Sequence, residues 1–200
     1  MQYFRNSNTG EEKGQDTTQA VNNDQSRIIR LVERASSGDI EAFGKLYTIY
    51  VEQIYRYVFY QVKDKMTAED ITEEVFIKAW RAIDSCKGRG ETFSSWLYRI
   101  AHNYTIDVLR SRQKQLAIET EVTADVSYSK QEAEVRLKRR ELLEAVARLP
   151  QNQKQVIILK FIEGLDNQEI GQVMNKNQGA IRVLQMRALA TLRQRLGGEA

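Results

Sequence analysis

From Arg27 onward, apolar residues recur three and four positions apart along almost the whole chain, which is the spacing of one face of an α-helix. Little interrupts them, because the 200 residues include one proline and eleven glycines. Ile28, Leu31 and Val32 form a first short stripe, which Gly38 ends, and Asp39 is placed to cap the next helix. A long second stripe runs through Phe43, Leu46, Tyr47, Tyr50, Ile54, Tyr57 and Val58 until Lys63, Asp64 and Lys65 break it. Thr67 is expected to cap a third helix that reaches about Ile83, with the loop DSCKGRGE behind it. Thr92 then caps a helix from Phe93 to about Gln115. After Pro150, a helix carrying Val156, Ile157, Leu159 and Phe161 runs to Gly164. Asp166 caps the short helix DNQEIGQVM, the turn NKN comes next, and a last helix runs from about Gln178 to Leu196. The expected fold is all-α, with small helical domains over residues 26–115 and 133–200. Between them the acidic, aperiodic stretch 116–132 reads as a flexible linker. Residues 1–25 are polar and nearly free of aliphatic side chains, too poor in burial to offset their ordering entropy, so a disordered tail is expected.

Composition removes most catalytic classes. Cys86 and His102 are the only residues of their types, which excludes an internal disulfide and a Cys/His zinc site. A Ser-His-Asp triad would need His102, which lies in mid-helix with no nucleophile motif nearby. No glycine-rich phosphate loop of the GxGxxG or GxxxxGK[ST] type occurs. The chain is therefore read as non-enzymatic, with no metal and no cofactor. No apolar run approaches the roughly 20 residues that span a bilayer, and no signal peptide is present, so no membrane insertion and a cytoplasmic location are expected. The net charge of +3 says little about partners, and its distribution says more.

The segment FSSWLYRIAHNYTIDVLRSRQK concentrates that charge. At 100° per residue, Phe93, Trp96, Leu97, Ile100, Ala101, Tyr104 and Val108 share an apolar face and are assigned to the core. Beside them lies a stripe of Arg99, Asn103, Ile106 and Arg110, with Arg112 and Lys114 extending it. Between Lys87 and Lys114 there are six basic residues and two acids. Arginine offers forked donors to phosphate, an asparagine amide can read a base edge, and aromatic side chains can stack on unpaired bases. Together they suit single-stranded nucleic acid better than a duplex groove.

The C-terminal stretch has helix-turn-helix proportions. Ile170 and Val173 face inward on its first helix, and Ile181, Leu184, Ala188 and Leu192 on its second. Arg182, Met186 and Arg193 point the other way. From Ile170 to Gly198 there are five basic residues and no acid, which suits a recognition helix entering a major groove.

Three segments, AEDITEEVFIKAW (68–80), FSSWLYRIAHNYTIDVLRSRQ and LPQNQKQVIILKFIEGLDNQEIGQVMNKNQGAIRVLQMRAL, together resemble bacterial sigma-70 family factors of the compact extracytoplasmic-function (ECF) group. The first half is similar to sigma region two and the second to region four. The resemblance implies a promoter-specificity subunit that binds core RNA polymerase and assists promoter melting. Its implied polymerase contacts, with the β′ clamp helices, are Asp70, Glu73 and Glu74, supported by Phe76 and Trp80; family members usually carry glutamine where Glu73 stands. Region four implies a contact with the β flap. For the −10 element it implies Asn103 on a flipped base, Arg99, Arg110 and Arg112 on the displaced strand, and Lys87 and Arg89 in the loop that builds the base pocket. For the −35 element it implies Arg182, with Lys176, Asn177 and Gln178 before it and Met186 and Arg193 on the same helix. Family members often have serine and arginine where Val183 and Leu184 stand. The resemblance also implies an anti-sigma partner. The rival reading is a stand-alone helix-turn-helix regulator of duplex DNA, which leaves the acidic motif and the aromatic-basic helix without a role.

Overall fold

The computed structural model describes residues 25–86, 92–115 and 140–197, the side chains of 112–115 excepted. The described residues are helical, with no strand among them. The expected tail, the linker 116–132, and the site residues Lys87, Arg89 and the Arg112 side chain lie outside them.

Helix α1 (residues 25–36) buries Leu31, Val32 and Ala35. Gly38 turns the chain at φ +89°, a conformation that costs a side-chain-bearing residue strain. Asp39 then caps α2 (Ile40–Val62), its Oδ1 accepting from the Ala42 amide at 3.0 Å. Lys63 closes α2 in the left-handed region, and its amide donates to the Phe59 carbonyl at 2.9 Å.

That tight closure moves the start of the next helix. Asp64, not Thr67, caps α3 (Lys65–Arg81), accepting from the Thr67 amide at 2.8 Å and from its hydroxyl. Thr67 is a buried residue of the first turn. A 3₁₀ turn, Ile83–Cys86, comes next and buries Cys86. Thr92 caps α4 (Phe93–Gln115) as expected, its hydroxyl accepting from the Ser95 amide at 3.1 Å. Helices α2, α3 and α4 pack on one another around Leu46, Ile54, Val58, Val75 and Leu97, all fully buried.

In the C-terminal half, α5 (residues 140–147) and α6 (Gln151–Ile157) lead into a π turn, Ile158–Ile162. The Glu163 amide closes that turn on the Ile158 carbonyl at 3.1 Å. The wider turn shifts the helical register. Ile158 and Leu159 go inward, whereas Phe161, expected among the apolar positions of this helix, is 60% exposed. Asp166 caps α7 (Asn167–Met174) through a complete capping box with Glu169. Asn175 turns the chain in the left-handed region and leads into α8 (Gln178–Arg195).

At Gly171 the helix-turn-helix allows no side chain, since a Cβ there would stand 2.6 Å from the Lys176 carbonyl oxygen. Gly171→Ala is therefore expected to lower stability by about 1–2 kcal/mol, overpacking outweighing alanine's better helix propensity. A urea midpoint no lower than wild type would show that the turn yields at no cost.

The two halves do not stand apart. Helix α7 packs along α4, and the π turn packs on α2. One hydrophobic core runs from Leu31 through Trp96 and Leu97 to Ile170 and Ile181. A smaller cluster of Ala145, Val146, Leu149, Ile157, Ala188 and Leu192 seals α5 and α6 against α8.

Candidate nucleic-acid interface

Helix α4 carries three stripes, where its periodicity alone distinguishes two. Phe93, Trp96, Leu97 and Ala101 are buried, with Ile100, Tyr104 and Val108 packed at the edge of the same core. The basic stripe lies beside them: Asn103 and Arg110 are exposed, and Arg99 and Ile106 are half-buried. The third stripe contains Tyr98 and Thr105, each 1% exposed, and the half-buried His102. These residues lie on the turns of α4 that the C-terminal half covers.

His102 is half-buried. Its Nδ1 shares a hydrogen bond with the Tyr57 hydroxyl at 3.3 Å. Burial, helped by the charges of Lys176 and Arg110, pushes its pKa down to about 4, so the ring is neutral near pH 7. It serves as an uncharged packing residue beneath the basic stripe.

The indole of Trp96 is 2% exposed, and its Nε1 donates to Ser85 Oγ at 3.2 Å. This bond ties the 3₁₀ turn, from which the Lys87–Arg89 segment departs, to the first turn and a half of α4. The core of the helix thus fixes the 3₁₀ turn that ends at Cys86.

On α8, Ile181, Ala188 and Leu192 are buried, and Leu184 is packed at the edge of the core. Arg182, Met186 and Arg193 are exposed, as are Lys176, Asn177 and Gln178 before them. Two of these six have narrower roles than their exposure suggests. Asn177 is the N-cap of α8, its Oδ1 held by the Ala180 amide at 2.8 Å, which leaves its amide nitrogen for an outside partner. Arg193 lies eleven residues beyond Arg182, roughly 16 Å along the axis, too far to read the same base pairs.

The acidic motif lies on α3 beside a groove between α2 and α3. Phe43, Tyr47, Val51, Tyr55, Glu73, Phe76 and Trp80 are among its walls. Phe76 is buried and meets Tyr47 edge-on with centroids 4.7 Å apart; Trp80 meets Phe43 similarly at 4.9 Å. Asp70 and Glu73 are exposed. Glu74 pairs with Lys78 at 3.2 Å, and that ammonium also sits 4.9 Å from the Tyr104 ring centroid. Periodicity marks Tyr47 and Phe43 only as core positions of α2. Tyr47 is 44% exposed and Phe43 half-buried, and together they add an aromatic rim to the groove. The apolar arc of α2 is wider than one packing partner needs, and that width is the signal that points to this rim.

Comparison with known proteins gives these surfaces a family. Residues 46–115 match the family Sigma-70 region 2, and residues 139–192 match Sigma-70, region 4. The chain is 39% identical over 185 residues to the ECF RNA polymerase sigma factor BldN of Streptomyces coelicolor, covering 90% of this chain and 70% of that one. It is 32% identical over 181 residues to the ECF RNA polymerase sigma factor SigW of Bacillus subtilis, covering 84% and 96%. The fold matches CnrH, solved with the cytosolic domain of CnrY, at TM-score 0.65 and 22% identity over 85% of this chain and 97% of that one. It also matches the sigma factor RpoE of Bartonella quintana, solved with the anti-sigma factor NepR, at TM-score 0.65 and 20% identity over 80% and 100%. With a region 2 helical unit, a region 4 helix-turn-helix, and relatives aligned across both, the chain belongs to the sigma-70 family of RNA polymerase sigma factors, in the extracytoplasmic-function group.

Proposed function

We propose that this sigma factor divides promoter recognition between α4 and α8 and docks on polymerase through the rim of the α2–α3 groove. The exposed side of α4 carries the reading: Asn103 stands open on a helix whose opposite face is locked in the core. A rigid base under an exposed amide and arginines is what capture of an unstacked base requires. Asn103 takes the base of the −10 element, and Arg99, Arg110 and Arg112 hold the strand backbone, with Lys87 and Arg89 lining the pocket. Arg182 reads the −35 duplex with Lys176, Asn177, Gln178 and Met186 around it, while Arg193 serves the phosphate backbone.

Glu73 and the Phe43–Tyr47 rim meet the β′ clamp helices, with Asp70 and Glu74 flanking and Phe76 and Trp80 supporting from below. Region 4 meets the β flap. The factor contributes specificity and melting, and chemistry stays with the polymerase, so it is not an enzyme. CnrH and RpoE are each held with a second protein, and by analogy an anti-sigma partner is proposed for this chain. Among the described residues no helix is long and apolar enough to cross a membrane, which suits a partner of polymerase in the cytoplasm.

Run-off transcription with purified core polymerase on a random promoter library, with start sites sequenced, tests the reading as a whole. Factor-dependent starts sharing sequence near −10 and −35 are expected; their absence, with a control sigma factor active, would refute it. Arg182→Ala is expected to weaken −35 binding by about 1–3 kcal/mol, roughly five- to 150-fold, and to relax preference at the contacted base pair. A uniform loss on every sequence would instead make Arg182 a backbone contact.

A further inference from the structure

The outward face of α8 is chemically lopsided. From Gln178 to Met186 the exposed residues are Gln178, Gly179, Arg182, Val183 and Met186. The opposite side is held by Ile181 and Ala188, both fully buried, with Leu184 at the edge of the core. At 100° per residue, Gly179, Arg182, Val183 and Met186 fall within about 100° of arc. Arg182 is the one strong hydrogen-bonding side chain of that arc. Gly179 has no side chain, and the other two residues are apolar. Val183 is 40% exposed and Met186 64%.

Single apolar residues on a surface are ordinary, so it is the position of these two that counts. They stand where the N-terminal part of a recognition helix meets base edges. The charge around them says what they face. Lys176, Arg182, Arg187 and Arg193 are exposed, and no acid occurs from Ile170 to Gly198. A surround of one sign suits a polyanion better than a protein face that carries both. The segment is also fixed in place. Gln185 Nε2 donates to Asn167 Oδ1 of α7 at 2.9 Å, a bond across the helix-turn-helix one residue from Met186 and two from Val183.

In the major groove every base presents donors or acceptors, and thymine alone adds a methyl group. A valine or methionine side chain pressed on a polar base edge strips its water and returns no hydrogen bond. Against a thymine methyl, the same side chain buries apolar surface on both partners. The two are complementary as readers. The β-branch of Val183 holds one preferred rotamer in a helix, whereas Met186 adapts its shape to the contact.

We propose that Val183 and Met186 are specificity-determining residues that select thymine in the −35 element through its 5-methyl group, beside the base pair read by Arg182. The inference rests on the promoter reading above. Both residues lie within four positions of Arg182, roughly 6 Å along the axis, so the selected thymines lie within about two base pairs of its contact.

The test uses holoenzyme, this factor with core polymerase, on a promoter taken from the factor-dependent starts of the run-off library. Each thymine of the −35 element, on either strand, is replaced in turn by deoxyuridine, which removes the methyl and leaves base pairing unchanged. Affinity is read by competition mobility shift. Wild-type holoenzyme is expected to lose about fourfold at one or two thymines next to the Arg182 contact, the value of one buried methyl, and nothing elsewhere in the element. Val183→Ser and Met186→Gln change exposed side chains and so keep the fold. Each is expected to bind thymine and deoxyuridine promoters alike at the position it contacts. A merely structural role would weaken both promoters equally and keep their ratio. Unchanged affinity at every deoxyuridine, or a ratio that survives in both variants, would overturn the proposal. Weaker binding of Met186→Gln to core polymerase without DNA, with the ratio kept, would make the patch a protein-docking face instead. No factor-dependent starts would sink the promoter reading and this inference with it. Starts that appear but are indifferent to deoxyuridine would refute the thymine reading alone.

Discussion

Asn103→Ala is expected to leave the closed promoter complex almost intact and to cut melted promoter about tenfold to a hundredfold, in line with about 1–3 kcal/mol for one specific base contact. The side chain is exposed, so its loss leaves the fold unstrained. The effect arises because the factor has no nucleotide-hydrolysing motif. Unstacking a base costs a few kcal/mol and must be met by binding the extruded base. Permanganate reactivity of thymines in the bubble reads melting, and mobility shift of the same complex reads initial binding. An unchanged footprint would remove Asn103 from the melting step, and equal losses in both assays would make it an ordinary docking contact.

Trp96→Ala should destabilise the fold by about 3–5 kcal/mol, as for other buried tryptophans cut to alanine. The indole is 2% exposed and packs on Phe93 with centroids 5.6 Å apart. Its loss opens a cavity between α4 and the 3₁₀ turn and frees the Ser85 hydroxyl. Against the 5–15 kcal/mol typical of a domain, that removes a large share. Urea denaturation followed by circular dichroism checks the magnitude, and a loss below about 1 kcal/mol would mean that the site collapses around the smaller residue. Trp96→Phe, which keeps most of the volume, should recover much of the stability while leaving Ser85 without its donor. Any remaining melting defect in that variant would then report the Ser85 anchor of the 3₁₀ turn rather than the core.

The surfaces proposed for DNA are legible along the chain because they are local. Arg99, Asn103 and Arg110 lie four and seven residues apart, one and two turns of α4, and the acid-free run of α8 needs no tertiary partner to be noticed. Asp39, Thr92 and Asp166 act as caps as their positions imply, since a cap bonds amides only two or three residues away. The cap of α3 stands three residues earlier than the pattern predicts, because Lys63, an ordinary residue in sequence, adopts a left-handed turn that frees Asp64.

Most helices, the main apolar face of α4 and the polar residues proposed for DNA follow from the order of residues alone, because a 3.6-residue period sorts side chains before any partner is known. That period does not reveal a third face on α4. Tyr98, His102 and Thr105 fall between the core and the basic stripe and look unassigned along the chain. Glu163, Lys154 and Gln151 look like ordinary polar residues of a turn and a helix. Tyr98 meets Glu163 across 65 positions and Arg56 meets it across 107. Packing in three dimensions makes these residues the join between the two halves, because burial of a charge depends on donors gathered from distant elements, and no local period encodes where those donors will be.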